Sequence, residues 1–292
     1  MNCSLSLHRI AFFTHRHSEP LDTYMKFFSR LFISLLLLPG IASTSLAASQ
    51  DVFDQIIKQG EIRVGISIMA PWAMKDKKDK YVGFEIDIAK QLAKDMGVKL
   101  VFKQYKWDEL IPALVKKEID IIASGISITP KRGLKVRFSN PYSSSGYNLV
   151  SNLKLTKDFT SIKDLNDSKV FIGVVKGTVS ESLAPKVFPR AKIDTFKDNK
   201  EATDAVVNGT VHAYIASAPT PRFVALRYPD EVDLPLEKPL LITKEGFAIN
   251  KHNPEMLAYL NSWITAHQAD SWLKSTHSYW FKSLTWRRKV SE

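Results

Sequence analysis

"IDIIASGISITPKR", residues 119–132, decides how this chain reads. Ile119, Ile121 and Ile122 make a short β-branched run, the mark of a buried strand. Gly125 ends that strand. Thr129 and Pro130 then open a helix, the first as N-cap and the second at the first helical position. Between strand and helix the chain offers the Gly125 carbonyl, the Ser127 N–H and hydroxyl, and the Arg132 guanidinium within one short turn. A small carboxylate suits such a cradle, because a guanidinium fork matches two carboxylate oxygens at once. An arginine in a first helical turn is otherwise a solvated surface residue, so the rest of the chain has to supply the context.

Outward from this stretch, strands and helices alternate. "EIRVGIS" is a strand. "YVGFEIDIAKQLAKDMG" begins as a strand edge and becomes an amphipathic helix, with Ile88, Leu92 and Met96 at helical spacing and Gly97 closing it. "VKLVFKQY" is a strand and "WDELIPALVKKE" a helix. The rhythm repeats from residue 168: "SKVFIGVV", "AKIDTF" and "VHAYIAS" read as strands. "GTVSESLAPKVF", "NKEATDAVVNG" and "PTPRFVALRYP" read as helices. Alternation of this kind predicts parallel sheets built from right-handed crossovers, here in two α/β lobes. "LLITKEGFAINK" adds one more strand, and the helical run from "NPEMLAYL" to "SYWF" returns the chain to the first lobe. "YSSSGYNLVSN" reads as the connector that leads into the second repeat, and two linking segments, near 142–147 and 241–246, form a hinge beside a cleft.

Length and composition agree. A chain of 292 residues, 45% hydrophobic and 24% charged, suits two globular lobes. Residues 25–48, "MKFFSRLFISLLLLPGIASTSLAA", read as a secretory signal peptide. A short basic start (Lys26, Arg30) precedes an apolar run from Leu31 to Leu38, and Ser45 and Ala47 place the cleavage after Ala47. That apolar run is well short of the ~20 residues needed to span a bilayer. Residues 1–24 add His8, Arg9, His15, Arg16 and His17 to no visible purpose, so translation is expected to begin at Met25. Cys3 falls in that leader, which leaves the exported chain without cysteine, disulfide or thiol nucleophile. The net charge is +11, of which residues 48–292 carry +9. The lysines are scattered rather than set in one stripe with aromatics, so nucleic acid is not an expected partner. His212, His252, His267 and His277 lack metal-ligand spacing, and "GVVKGT" lacks the phosphate-loop pattern, so neither metal nor cofactor is expected.

"GEIRVGI", "YVGFEIDIAKQLAKDMG", "WDELIPALVKKEIDIIASGISITPKR" and "FSNPY" resemble the periplasmic solute-binding proteins of polar amino-acid ABC importers, the family-3 type. The resemblance runs from about residue 50 to the last helices. It implies an α/β fold of type II: two lobes with the ligand cleft between them and a two-segment hinge. The leader and signal peptide are then 1–47, lobe one is 48–143 plus 245–292, and lobe two is 144–244. It also implies a periplasmic monomer that delivers a small carboxylate or amino acid to membrane ABC permease subunits.

By this resemblance Arg132 forks the ligand carboxylate, Ser127 offers its N–H and hydroxyl, and Gly125 offers its carbonyl. Trp107 stacks over the ligand and Met69 lines a wall. Thr178 to Ser180 present the N-terminus of a lobe-two helix, where free N–H groups favour an anion. Thr178 is read as the N-cap. Two positions depart from the family pattern. The acid that would pair with an α-ammonium at the end of the lobe-two strand is replaced by Ser217, and a second acidic place falls on Ile66. The ligand then either lacks a free amine or is held by neutral oxygens, because a buried unpaired ammonium is costly.

The rival reading is an exported enzyme like the cyclohexadienyl dehydratases, which share the fold and a carboxylate-binding arginine. Their chemistry needs a general acid in the cleft. Here Ser180 falls on that place, and Glu181, one residue on, is turned by about 100° along the helix. Binding without catalysis is the expectation.

Overall fold

The computed structural model describes residues 52–283 and 285–290. The expected signal peptide, the leader before it and Cys3 lie outside the described residues. The chain lays down β1 (Glu61–Ile66), β2 (Met74–Lys75), β3 (Tyr81–Val82), β4 (Lys99–Gln104), β5 (Ile121–Ile122) and β6 (Arg137–Phe138). Next come β7 (Ser143–Asn152), β8 (Phe171–Val175), β9 (Lys192–Phe196), β10 (Ala213–Ser217), β11 (Val232–Asp233) and β12 (Leu241–Glu245). The last strand is β13 (Ala248–Ile249).

The first lobe is a sheet in the order β4-β1-β5-β13-β6. β1 runs parallel to β4 and β5, whereas β13 is antiparallel to β5 and β6. Ile62, Val64 and Ile66 of β1 are fully buried beside Phe84, Ile88 and Leu92 of the helix Phe84–Met96. Each such side chain stabilises the fold by about 1.5–3 kcal/mol. Gly97 ends that helix in the left-handed region (φ 67°), its N–H reaching the Ala93 and Lys94 carbonyls.

The second lobe is a sheet in the order β11-β7-β10-β8-β9, with β12 also paired to β7. β8 is parallel to β9 and β10, and β7 is antiparallel to β10, β11 and β12. Alternate residues go to opposite faces: Leu149, Ala213 and Ile215 into one cluster, Val150, Tyr214 and Ala216 into the other. Both faces of this sheet are therefore covered.

Four sequence expectations need correction. The sheets are mixed rather than parallel, because the strands that cross between lobes run against the βα repeat. "SSSGYNLVSN" is not a connector but β7, the longest strand described, whose Ser144, Ser145 and Ser151 hydroxyls are taken up by β11 and β12. "LLITKEGFAINK" is two strands, β12 in the second sheet and β13 in the first, separated by Gly246. The C-terminal helical run breaks at Ser271 (φ 65°) into Pro254–Ala269 and Trp272–Phe281.

Those two helices pack against the first sheet's core. Met256, Leu260, Trp263, Leu273 and Trp280 join its core. Trp263 and Trp280 donate their indole N–H groups to Asp95 and Asp87, each at 2.8 Å. Beyond them Trp286, buried in the 3₁₀ turn Thr285–Lys289, meets Phe223 of the helix Thr220–Arg227 at 5.8 Å between rings.

Candidate functional site

The cradle forms where β5 gives way to the helix Pro130–Gly133. Thr129 caps that helix, its hydroxyl accepting from the Arg132 N–H at 3.3 Å. Gly125 sits at φ +64°, and a Cβ there would lie 2.6 Å from the Trp72 ring. Only glycine fits both demands. The Gly125 N–H donates to Glu85 Oε1 at 2.7 Å. Arg132 folds back over the turn, donating through Nη1 to the Ser127 carbonyl at 2.8 Å and through Nη2 to the Gly177 carbonyl at 3.0 Å. Its guanidinium lies 5.6 Å from the Trp107 ring. Arg132 is buried, and burial pulls its pKa below the ordinary value. Among the described residues no carboxylate pairs with it. A buried cation without an acid is electrostatically incomplete.

The facing wall is the turn between β8 and the helix Val179–Val187. The Gly177 carbonyl accepts the Trp107 indole N–H at 3.1 Å as well as the Arg132 guanidinium. Lys176 pairs with Asp108 at 3.3 Å across the same gap. Tyr147 of β7 brings its hydroxyl to the Ser127 hydroxyl and the Val179 N–H, and burial raises its pKa.

Trp107 and Arg132 therefore converge on Gly177, one residue before Thr178, and Arg132 ties Ser127 to them. Trp107 covers the guanidinium itself. The capping expectation for Thr178 is corrected. It occupies the N-cap position without a side-chain cap bond. Its hydroxyl donates to the Val175 carbonyl at 2.6 Å and pairs with the Ser180 hydroxyl at 2.6 Å. Ser180 is buried in that pair. Glu181 accepts the Gly177 N–H at 3.0 Å. Met69 forms a bridge with Ala73 at the margin of the first core, and Ser217 ends β10 opposite Tyr147. No hydrogen bond links Met69, Ser217 or Ser180 to the Arg132 group.

Two buried carboxyls beside the cradle escaped the sequence reading. Glu85 takes the Gly125 N–H and, at 2.8–3.0 Å, the Tyr142 hydroxyl. Burial pushes its pKa up to about 8 against those bonds. Glu245, at the end of β12, is bridged to Ser127 through the backbone. Its Oε1 accepts from Ser145 at 2.8 Å and Thr243 at 2.9 Å, and burial raises its pKa. The hint for Glu85 was an acid inside "VGFEIDIA", between residues that must face the core.

Glu85 leaves a signature in stability. The folded chain holds this proton up to about pH 8, whereas an unfolded glutamate releases it near its ordinary value of 4.5. Stability from this group is therefore full below that value and falls as pH rises toward 8, by at most about 1.4 kcal/mol per pH unit. Thermal melts of Glu85→Gln across this window should show a flatter profile than wild type. An equal slope would mean the carboxyl is ionised in the fold.

Comparison with known proteins gives the same architecture. The family model of the bacterial extracellular solute-binding proteins, family 3, matches residues 62–283. The L-cystine-binding protein TcyJ of Escherichia coli (strain K12) is 26% identical over 257 residues, 85% of this chain and 92% of that protein. Cyclohexadienyl dehydratase of Pseudomonas aeruginosa is 24% identical over 258 residues, 88% of this chain and 96% of the enzyme. Among solved structures, the ancestral amino acid-binding protein AncCDT-1, a precursor of cyclohexadienyl dehydratase, matches with a TM-score of 0.71 at 37% identity. That match covers 79% of this chain and 99% of the other.

Proposed function

The chain belongs to the bacterial extracellular solute-binding proteins, family 3, and from that premise we propose that it captures its ligand without transforming it. It is the substrate-binding component of an ABC importer, and it takes an amino acid or related small carboxylate by lobe closure. The observation that carries this reading is the buried Arg132, whose guanidinium reaches only carbonyls and has no acid among the described residues. A ligand carboxylate supplies the missing charge, with Trp107 over the guanidinium and the Ser127 N–H and hydroxyl as further donors. In this reading Gly125, Thr178 and Ser180 shape the turns around the ligand, and Met69 and Ser217 stand at the edges of the cleft. The lobes divide at residues 143/144 and 244/245. The protein works as a monomer in the periplasm after cleavage of its signal, with membrane permease subunits as partners and no nucleic acid.

The dehydratase reading draws on the likeness to cyclohexadienyl dehydratase of Pseudomonas aeruginosa, and the lobe-two acid it would need is absent at Ser180 and Ser217. Glu181 is held by the Gly177 N–H. A thermal-shift screen of amino acids, keto acids, aromatic acids and prephenate should give stabilisation by a small carboxylate. Product analysis of the same mixtures should show no conversion. Turnover of prephenate or arogenate at an enzymatic rate would overturn binding without chemistry.

A further inference from the structure

We infer that Glu245 is the counter-charge for a cationic group on the ligand, so that the site takes a zwitterion and discriminates against the same carboxylate without its amine. The inference rests on the reading of Arg132 as the carboxylate fork.

Ser127 ties the two ends together. Its carbonyl accepts from Arg132 at 2.8 Å. Its backbone is bridged to Glu245, and its hydroxyl meets Thr243 Oγ1 at 3.4 Å. Thr243 in turn donates to Glu245 Oε1 at 2.9 Å. A buried guanidinium without an acid and a buried carboxyl without a cation thus flank one residue of the cradle.

The carboxyl of Glu245 is fully buried among the Ser143, Ser145 and Thr243 hydroxyls and the Ser145 N–H, and no cation pairs with it among the described residues. Oε1 is satisfied by Ser145 and Thr243. Oε2 has no hydrogen-bond partner of ordinary geometry among the described residues, although the Ser143 hydroxyl lies beside the carboxyl as a donor. Hydroxyls can solvate a carboxylate but cannot neutralise it, and a buried acceptor without a donor is unfavourable. Glu85, the other buried acid nearby, has both oxygens occupied by Tyr142 and Gly125. The unmet demand for positive charge falls on Glu245. An ammonium supplies it, and Glu245 then stands, from a different element of the fold, where Ser217 provides no acid.

Calorimetry with matched pairs tests this. The probes are L-lysine with ε-aminocaproate, L-leucine with isocaproate, and L-phenylalanine with hydrocinnamate, each pair differing in the α-amine alone. Wild type should bind the amino member of at least one pair about tenfold or more tightly, as a charge-assisted hydrogen bond requires. Glu245→Gln should bring that ratio below about threefold, and Glu245→Asp, which keeps the charge, should recover part of it. A wild-type preference for the desamino acids overturns the proposal without any variant. An unchanged ratio in Glu245→Gln also overturns it, leaving Glu245 as a neutral tie between the hinge strands. Should Arg132→Ala leave both members of each pair bound as in wild type, or no acid bind at all, the carboxylate reading fails first and this proposal with it.

Discussion

Arg132→Ala weakens binding of the cognate carboxylate at least about a hundredfold. Removing one partner of a buried charge pair costs about 2–5 kcal/mol, because the ligand carboxylate is left desolvated beside carbonyl oxygens. The same substitution should lower the melting temperature little. It deletes two hydrogen bonds to the Ser127 and Gly177 carbonyls, but it also removes a buried cation that no acid compensates. Calorimetry and thermal unfolding on one preparation separate the two effects. A change in affinity under about threefold would make Arg132 a fold-supporting residue, and a large loss of stability with retained affinity would say the same.

Gly125→Ala is expected to destabilise the protein by about 2–5 kcal/mol. Roughly 1–2 kcal/mol comes from forcing a Cβ into the left-handed region and about 1–3 kcal/mol from overpacking against Trp72. The added carbon would lie 2.6 Å from the nearest ring atom, and Trp72 is fully buried between Phe84 and Phe281. At about 2–4 °C per kcal/mol for a chain of this size, the melting temperature should fall by roughly 10 °C. A double-mutant cycle with Trp72→Leu isolates the clash. Strictly additive effects would place the cost in the backbone alone.

The parts of the site legible in the sequence are those set by neighbours along the chain. Thr129 and Pro130 fix a helix start, and that start fixes where Arg132 emerges. Gly125 could be placed at the end of β5, although the Trp72 ring that demands a glycine comes from 53 residues away. Glu245 was not legible. In "LITKEGFAI" it follows a lysine and reads as a solvated charge. It is buried because β12 pairs with the serines of β7, about a hundred residues earlier. β7 was misread for the same reason. Three serines and a glycine have low strand propensity, but a strand whose Ser144 and Ser145 hydroxyls are bonded by its neighbour does not depend on intrinsic preference. Thr178 was given a capping role from its position, and its rotamer instead follows the partner it finds in Ser180.

The pairing of β7 with β12 also has a mechanical meaning. The two stretches that cross between the lobes are laced together from Tyr147 opposite Leu241 to Ser143 opposite Glu245. A laced pair cannot stretch or slide without breaking its ladder, and its soft coordinates are twist and bend. The joint is therefore a torsion bar rather than two loose strings. β7 runs on to Asn152 between β10 and β11, so a turn of the bar at Ser143 swings the second sheet as a lever of about ten residues. The speed of opening, on the microsecond-to-millisecond scale usual for such motions, is set by the stiffness of that ribbon. Gly146, where a Cβ would strike Pro239 at 2.8 Å, is the point at which stiffness can be tuned without touching Arg132.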